Sequence, residues 1–152
     1  MKKYEILPHP AELRLRIYGK TLEELFTNAA FALAKILKHD AEKLFENLSL
    51  KAKRYKLKTH SIDINSLLVD FLSEILAKSQ INKEVYLISD INIGCKSLVA
   101  GCKLEAELFG FAVQHFDEDI KAVTYQDVNI QLKPKSYKLK AKLWQTDLVF
   151  DI

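Results

Sequence analysis

The sequence predicts an α+β fold: a mixed, mainly antiparallel β-sheet with two long amphipathic helices packed on one face. Two observations carry that expectation. Apolar stripes at helical spacing occur twice, over Leu22–Ile36 and over Leu67–Leu76. Segments rich in Val, Ile, Tyr and Phe fill the second half of the chain and follow one another without long connections. Strands joined by short turns pair antiparallel, and the helices must then cover the sheet.

The elements follow in order. Tyr4 to Leu7 reads as a short strand closed by Pro8 and Pro10. Leu13, Leu15 and Ile17 then alternate with Arg14, Arg16 and Tyr18, the period of a half-buried strand. That phase puts Glu12 on the polar face with the two arginines. Gly19-Lys20 turns the chain into a helix whose start, Thr21 to Glu24, has the T-x-x-E capping pattern. Its stripe is Leu22, Leu25, Phe26, Ala29, Ala30, Leu33 and Ile36, which reads as a core face.

A lysine-alternating strand is expected from about Leu48 to Lys58, with a bulge where the phase breaks near Arg54-Tyr55. The second helix is expected from about Ile62 to Lys78, with Leu67, Leu68, Phe71, Leu72, Ile75 and Leu76 inward. Val85–Ile93, Leu98–Phe109, Val123–Leu132 and Tyr137–Phe150 read as strands, with turns at Gly94 and Pro134. In the last segment the apolar parity changes near Trp144, which calls for a bulge or a change of pairing. If the even phase holds to the end, Asp151 points away from the core.

The 152 residues, 49% hydrophobic and 28% charged, suit one domain with its own core. No apolar run approaches the roughly 20 residues of a membrane span, and no signal peptide is visible, so the expected location is the cytoplasm. Cys95 and Cys102 are expected to be reduced, since no secretion signal accompanies them and neither forms a C-x-x-C pair. The net charge of +3 permits contact with RNA or an acidic partner without demanding it. Lysines interleaved with apolar residues at Lys51–Lys58 and Lys133–Lys142 read either as a basic face for phosphates or as protection of strand edges, with edge protection the plainer reading.

No nucleophile elbow, zinc motif, phosphate loop or dinucleotide fingerprint is present. The chemistry-bearing candidates are acids. Asp151 stands one residue from the end of the chain, where its carboxylate can pair with that of Ile152, and hard cations want such all-oxygen sites. Asp70 and Glu74 lie four apart on the second helix, either a solvated flank or the two sides of a cation. Lys121 follows the acidic run Asp117-Glu118-Asp119, and a lysine at a strand start is ordinarily silent. His9 precedes Glu12 by three residues, whereas the other histidines are scattered.

In order along the chain, His9-Pro10-Ala11-Glu12, Thr21-Leu22-Glu23-Glu24, Leu67-Leu68-Val69-Asp70-Phe71-Leu72-Ser73-Glu74-Ile75, Asp119-Ile120-Lys121-Ala122-Val123-Thr124-Tyr125-Gln126 and the terminal Asp151-Ile152 resemble the archease family. The family's counterparts are H-T-A-D, T-L-E-E, L-L-V-D-W-L-x-E-L, E-V-K-A-V-T-Y-H and D-I. Among the departures, Glu12 stands for aspartate, Pro10 for threonine and Gln126 for histidine.

The resemblance implies a protein cofactor rather than an enzyme, one that promotes guanylylation and multiple turnover of an RtcB-type tRNA-splicing RNA ligase. It implies contact with RNA through the ligase, none with a membrane, and leaves self-association open. Glu12, Asp151 and Ile152 would hold a divalent metal ion, Ca²⁺ before Mg²⁺ or Mn²⁺, because Ca²⁺ tolerates the longer glutamate better. His9, Asp70, Glu74 and Lys121 would complete the functional surface. The alternatives are a stand-alone RNA-binding or metal-dependent RNA-processing module and a general chaperone-like adaptor.

Overall fold

The structure is a computed structural model that describes residues 2–46, 52–96, 101–136 and 139–152, with the side chains of residues 135, 136 and 139–141 left out. Among the described residues, eight strands and three helices follow one another: β1 (Tyr4–Leu7), β2 (Leu13–Gly19), α1 (Leu22–Leu37), α2 (Ala41–Phe45), β3 (Lys53–Ser61), α3 (Ile64–Asn82), β4 (Glu84–Cys95), β5 (Cys102–Ala112), β6 (Ala122–Thr124), β7 (Gln131–Ser136) and β8 (Leu139–Asp151). The α+β class and the antiparallel pairing are as expected. The strands divide, however, into two sheets. One runs β1-β2-β8-β6 with β7 also paired to β8, and the other runs β3-β5-β4.

That division explains why α1 is buried beyond its predicted stripe. The helix packs on β2 of the first sheet and on β4 of the second. Ala32, Ala34 and Leu37, which lie off the stripe, are buried with it. Small side chains on several faces let strands approach from two directions at once. The start is fixed as the capping pattern predicts: Glu24 N–H donates to Thr21 Oγ1 at 3.0 Å, and Glu24 Oε1 accepts from Lys20 N–H at 3.1 Å. Gly19 is required there, because a Cβ would sit 2.4 Å from the backbone nitrogen of Leu25.

The second helix, α3, begins later than expected because Asp63 caps it, accepting from Ser66 N–H at 2.7 Å. All six residues expected inward are buried. It ends at Lys83, whose φ of 52° is left-handed. Burying both helices and both sheets' inner faces makes one core that runs from Leu15 and Ile17 on β2 through Phe26 and Phe71 to Phe150 on β8.

Several local expectations are corrected. Pairing of β3 with β5 runs unbroken from Lys53 to Ser61, so no bulge forms at Arg54-Tyr55. Tyr55 is itself the inward residue, its hydroxyl donating to buried Glu84 at 2.7 Å. That bond, with burial, raises the Tyr55 phenol to about 12. Gly94 is paired with Lys103 inside β4, and Pro134 with Lys142 inside β7, so neither makes a turn. Proline is tolerated because β7 pairs on one side only. The strand expected over Val123–Leu132 is two, β6 and β7, separated by a connection in which Asp127 takes a φ of 61°. Leu48, Leu50, Leu98 and Tyr137 lie outside the described residues.

The cysteines are also corrected. Cys95 and Cys102 are register partners across β4 and β5, their Cα atoms 4.1 Å apart, and they are joined by a disulfide. Strand register, invisible in the sequence, brought them face to face. The parity change in β8 has the expected cause: Trp144 is the last residue to face β2, opposite Gly19, and residues before it pair with β7 alone.

Candidate functional site

The two ends of the chain meet in the first sheet. Leu13 pairs with Phe150 across β2 and β8, and Ala122 pairs with Asp151 across β6 and β8. Glu12 immediately precedes the first of these pairs on β2, and Lys121 immediately precedes the second on β6. Lys121 N–H donates to the Asp151 carbonyl at 2.7 Å, which fixes the last turn of this juxtaposition. Asp151 is exposed, as its outward phase predicts, while Leu148 and Phe150, which precede it on the even positions of β8, are fully buried.

Glu12 is the unusual member. Its Oε2 is buried and has no hydrogen-bond partner. Arg14, two residues on and therefore on the same strand face, brings a guanidinium nitrogen to 3.8 Å from that oxygen. The arginine's shorter bond, 2.8 Å, goes to Asp127. His9 Nδ1 lies 4.0 Å from Glu12 Oε2 and accepts from Ala11 N–H at 3.4 Å. A ring nitrogen that accepts carries no proton, so His9 gives Glu12 no hydrogen bond in this arrangement. The glutamate thus has the Arg14 guanidinium nearby and one oxygen with nothing bonded to it.

A cavity of about 380 Å³ opens beside the chain end. Tyr4, Ile6, Leu13, Lys35, Ile36, His39, Glu118 and Ile152 line it. Ile6 and Ile152 are 59% and 48% exposed, so the acid-bearing strand ends border an open apolar surface.

Asp70 and Glu74 lie elsewhere. Asp70 accepts from Ser61 Oγ at 2.5 Å and from the Tyr125 hydroxyl. The bond to Asp70, with some burial, raises the Tyr125 phenol above its ordinary value. Asp70 thus meets two hydroxyl donors. Glu74 is exposed one turn further along. Further down α3, Gln80 Nε2 donates to the Ile120 carbonyl at 3.0 Å. Asp70 and Lys121 therefore stand at opposite ends of β6, on the order of 15 Å apart by helix rise.

The oxygen ligands of Glu12 and Asp151 are of the kind that suits a hard cation, and Glu12 Oε2 has no hydrogen-bond partner. Among the described residues, no group of three or more His, Cys, Asp or Glu side chains is gathered closely enough to hold a metal ion. Arg14 could be read as a neighbour of Glu12 from strand alternation alone. Asp127, Tyr125 and Ser61 could not, since each reaches its partner through a connection or a distant strand.

These features define a class first: an α+β protein of two antiparallel sheets in which the strand after Glu12 adjoins the strand that ends at Asp151. Residues 4–152 match the archease protein family (MTH1598/TM1083), and the chain belongs to that family. It is 34% identical to the protein archease of Methanosarcina mazei, over 99% of this chain and 97% of that one. It is 30% identical to the protein archease of Pyrococcus abyssi, over the full length of both. The fold is shared with protein 1598 of Methanobacterium thermoautotrophicum, at a TM-score of 0.74 and 24% identity over the whole of both chains. It is shared also with an archease of Thermotoga maritima described as a possible chaperone, at a TM-score of 0.58 and 15% identity over 97% and 96% of the two chains. Among the described residues no helix is long and apolar enough to cross a membrane.

Proposed function

We propose that this protein is an accessory factor of an RtcB-type tRNA-splicing RNA ligase, promoting its guanylylation and repeated turnover. Membership of the archease family supports the accessory role. The observation that supports the site is the Leu13–Phe150 pairing, which lays the strand that follows Glu12 against the strand that ends at Asp151. Three carboxylates brought together repel one another unless a cation joins them. Glu12, Asp151 and Ile152 would hold a divalent ion, Ca²⁺ by preference, since its flexible coordination accommodates glutamate in place of aspartate. When bound, the ion supplies concentrated positive charge for phosphate oxygens. Arg14 restrains Glu12, and Lys121 holds the Asp151 carbonyl through its own N–H while its exposed ammonium stays available to the partner. His9 borders the same site, whereas Asp70 and Glu74 belong to a separate part of the surface.

The test is a ligation assay with the ligase of the same organism, run with and without this protein and scored for ligase-bound guanylate and for turnovers per ligase. Rise in both is expected. No rise rejects the proposal. RNA cleavage without ligase would favour a stand-alone processing module, and equal rescue of unrelated aggregation-prone proteins would favour a general chaperone.

A further inference from the structure

The connection from β5 to β6 carries the residues that lead into Lys121, and one of them makes contacts that neither the family pattern nor the proposed site requires. Asp117 N–H donates to the Leu37 carbonyl at 2.8 Å. One of its carboxylate oxygens accepts from His39 N–H at 2.7 Å. The two bonds straddle Lys38, the residue that ends α1. A helix leaves its final carbonyls without partners inside the helix, and here a residue far along the chain takes one of them. Lys38 Nζ, His39 Nδ1 and His115 Nε2 stand 3.8 Å from the same carboxylate, so nitrogen-bearing side chains from both the helix end and the connection face it.

The consequence runs forward along the chain. Three residues after Asp117, Ile120 is buried and its carbonyl is held by Gln80 of α3. Lys121 N–H is then placed on the Asp151 carbonyl. Between these anchors Glu118 reaches the cavity that Ile152 and His39 also line. The connection is thus fastened to α1, to α3 and to β8 in turn, and Asp117 makes the first fastening.

We infer that Asp117 is a clamp on the end of α1, a positioning residue that sets the cavity wall and the place of Lys121 against the end of β8. A plain surface carboxylate would spend its bonds on mobile side chains. Asp117 instead engages backbone on both sides of a helix terminus, with its main chain as well as its side chain. The inference stands whether or not the protein serves a ligase, because it concerns how the strand ends are held.

Residue-resolved amide hydrogen exchange on the full chain tests it, comparing the native protein with Asp117→Ala and Asp117→Asn. In the alanine variant the amides of His39 and Lys121 are expected to exchange about tenfold faster or more, while those in the middle of α3 keep their protection. The asparagine variant, whose side-chain carbonyl still accepts from His39 N–H, is expected to recover most of the loss. Unchanged protection at Lys121 in the alanine variant overturns the inference. A uniform rise at every amide overturns it as well, because Asp117 would then be a general stabiliser. Failure of asparagine to recover protection at His39 overturns the bond as the clamp.

Discussion

Glu12 concentrates the question at the scale of single residues. A buried carboxylate oxygen without a hydrogen bond is costly, and structures retain such an atom where something else satisfies it. Replacing Glu12 with Gln is expected to lower Ca²⁺ affinity at least about tenfold by calorimetric titration, because hard cations depend on ligand charge. The same change is expected to leave stability within about 0.5 kcal/mol, since the residue's contacts with Arg14 and His9 are long and partly solvated. Unaltered affinity would remove Glu12 from the site. Asp117 offers a pH test. The His39 N–H bond, aided by Lys38, His39 and His115, holds its carboxyl below the usual aspartate value of 3.8. A carboxylate lowered by folding stabilises the fold above the ordinary value and loses that contribution as pH falls through its lowered one. Protection of the His39 amide should therefore persist at pH 5 and vanish only on acidification past the usual value. Loss already near pH 5 would contradict this cause. Of these residues, Glu12 and Asp151 were legible as acids in motif segments, and Arg14 as a neighbour by alternation. Asp117 was read only as part of an acidic run, because nothing local announces a bond spanning 78 positions.

At the scale of elements, what the sequence revealed best were features with short reach. The T-x-x-E start of α1 and the six inward residues of α3 rest on spacing within one helix, and both are found. Pairing partners and boundaries rest on distant residues, and there the sequence was a weaker guide. Gly94 and Pro134 resemble turn residues only until β5 and β8 supply partners for them. The β4–β5 hairpin shows the same limit, since thiols seven positions apart were expected to be reduced and are instead bonded across the ladder. Closing so short a loop is expected to contribute about 2 kcal/mol by the chain-entropy account. Urea denaturation with and without a strong reductant measures it, and equal midpoints would mean that the hairpin needs no staple. If the slope also changes on reduction, the hairpin unfolds separately from the rest.

Across the whole molecule, the expected class and antiparallel pairing hold, while the number of sheets does not. Periodicity tells which face of a strand is buried but not which strand lies beside it, so one sheet of eight and two smaller ones read alike. The juxtaposition of the chain ends was legible for a different reason. Glu12 and Asp151 can share a cation only where their strands adjoin, and β2 pairs with β8. Two sheets wrapped about α1 then give the strand ends a rigid base, with Leu15, Ile17, Leu148 and Phe150 wholly buried beneath them. Such a base separates folding from function, because outward carboxylates contribute little to the core. Guanylylation of the ligase by Asp151→Ala protein, measured beside its unfolding temperature, tests the proposed site most directly. The account predicts that activation falls to the level without added protein while the unfolding temperature stays within a few degrees of the native value. Full activation by a folded Asp151→Ala protein would contradict it.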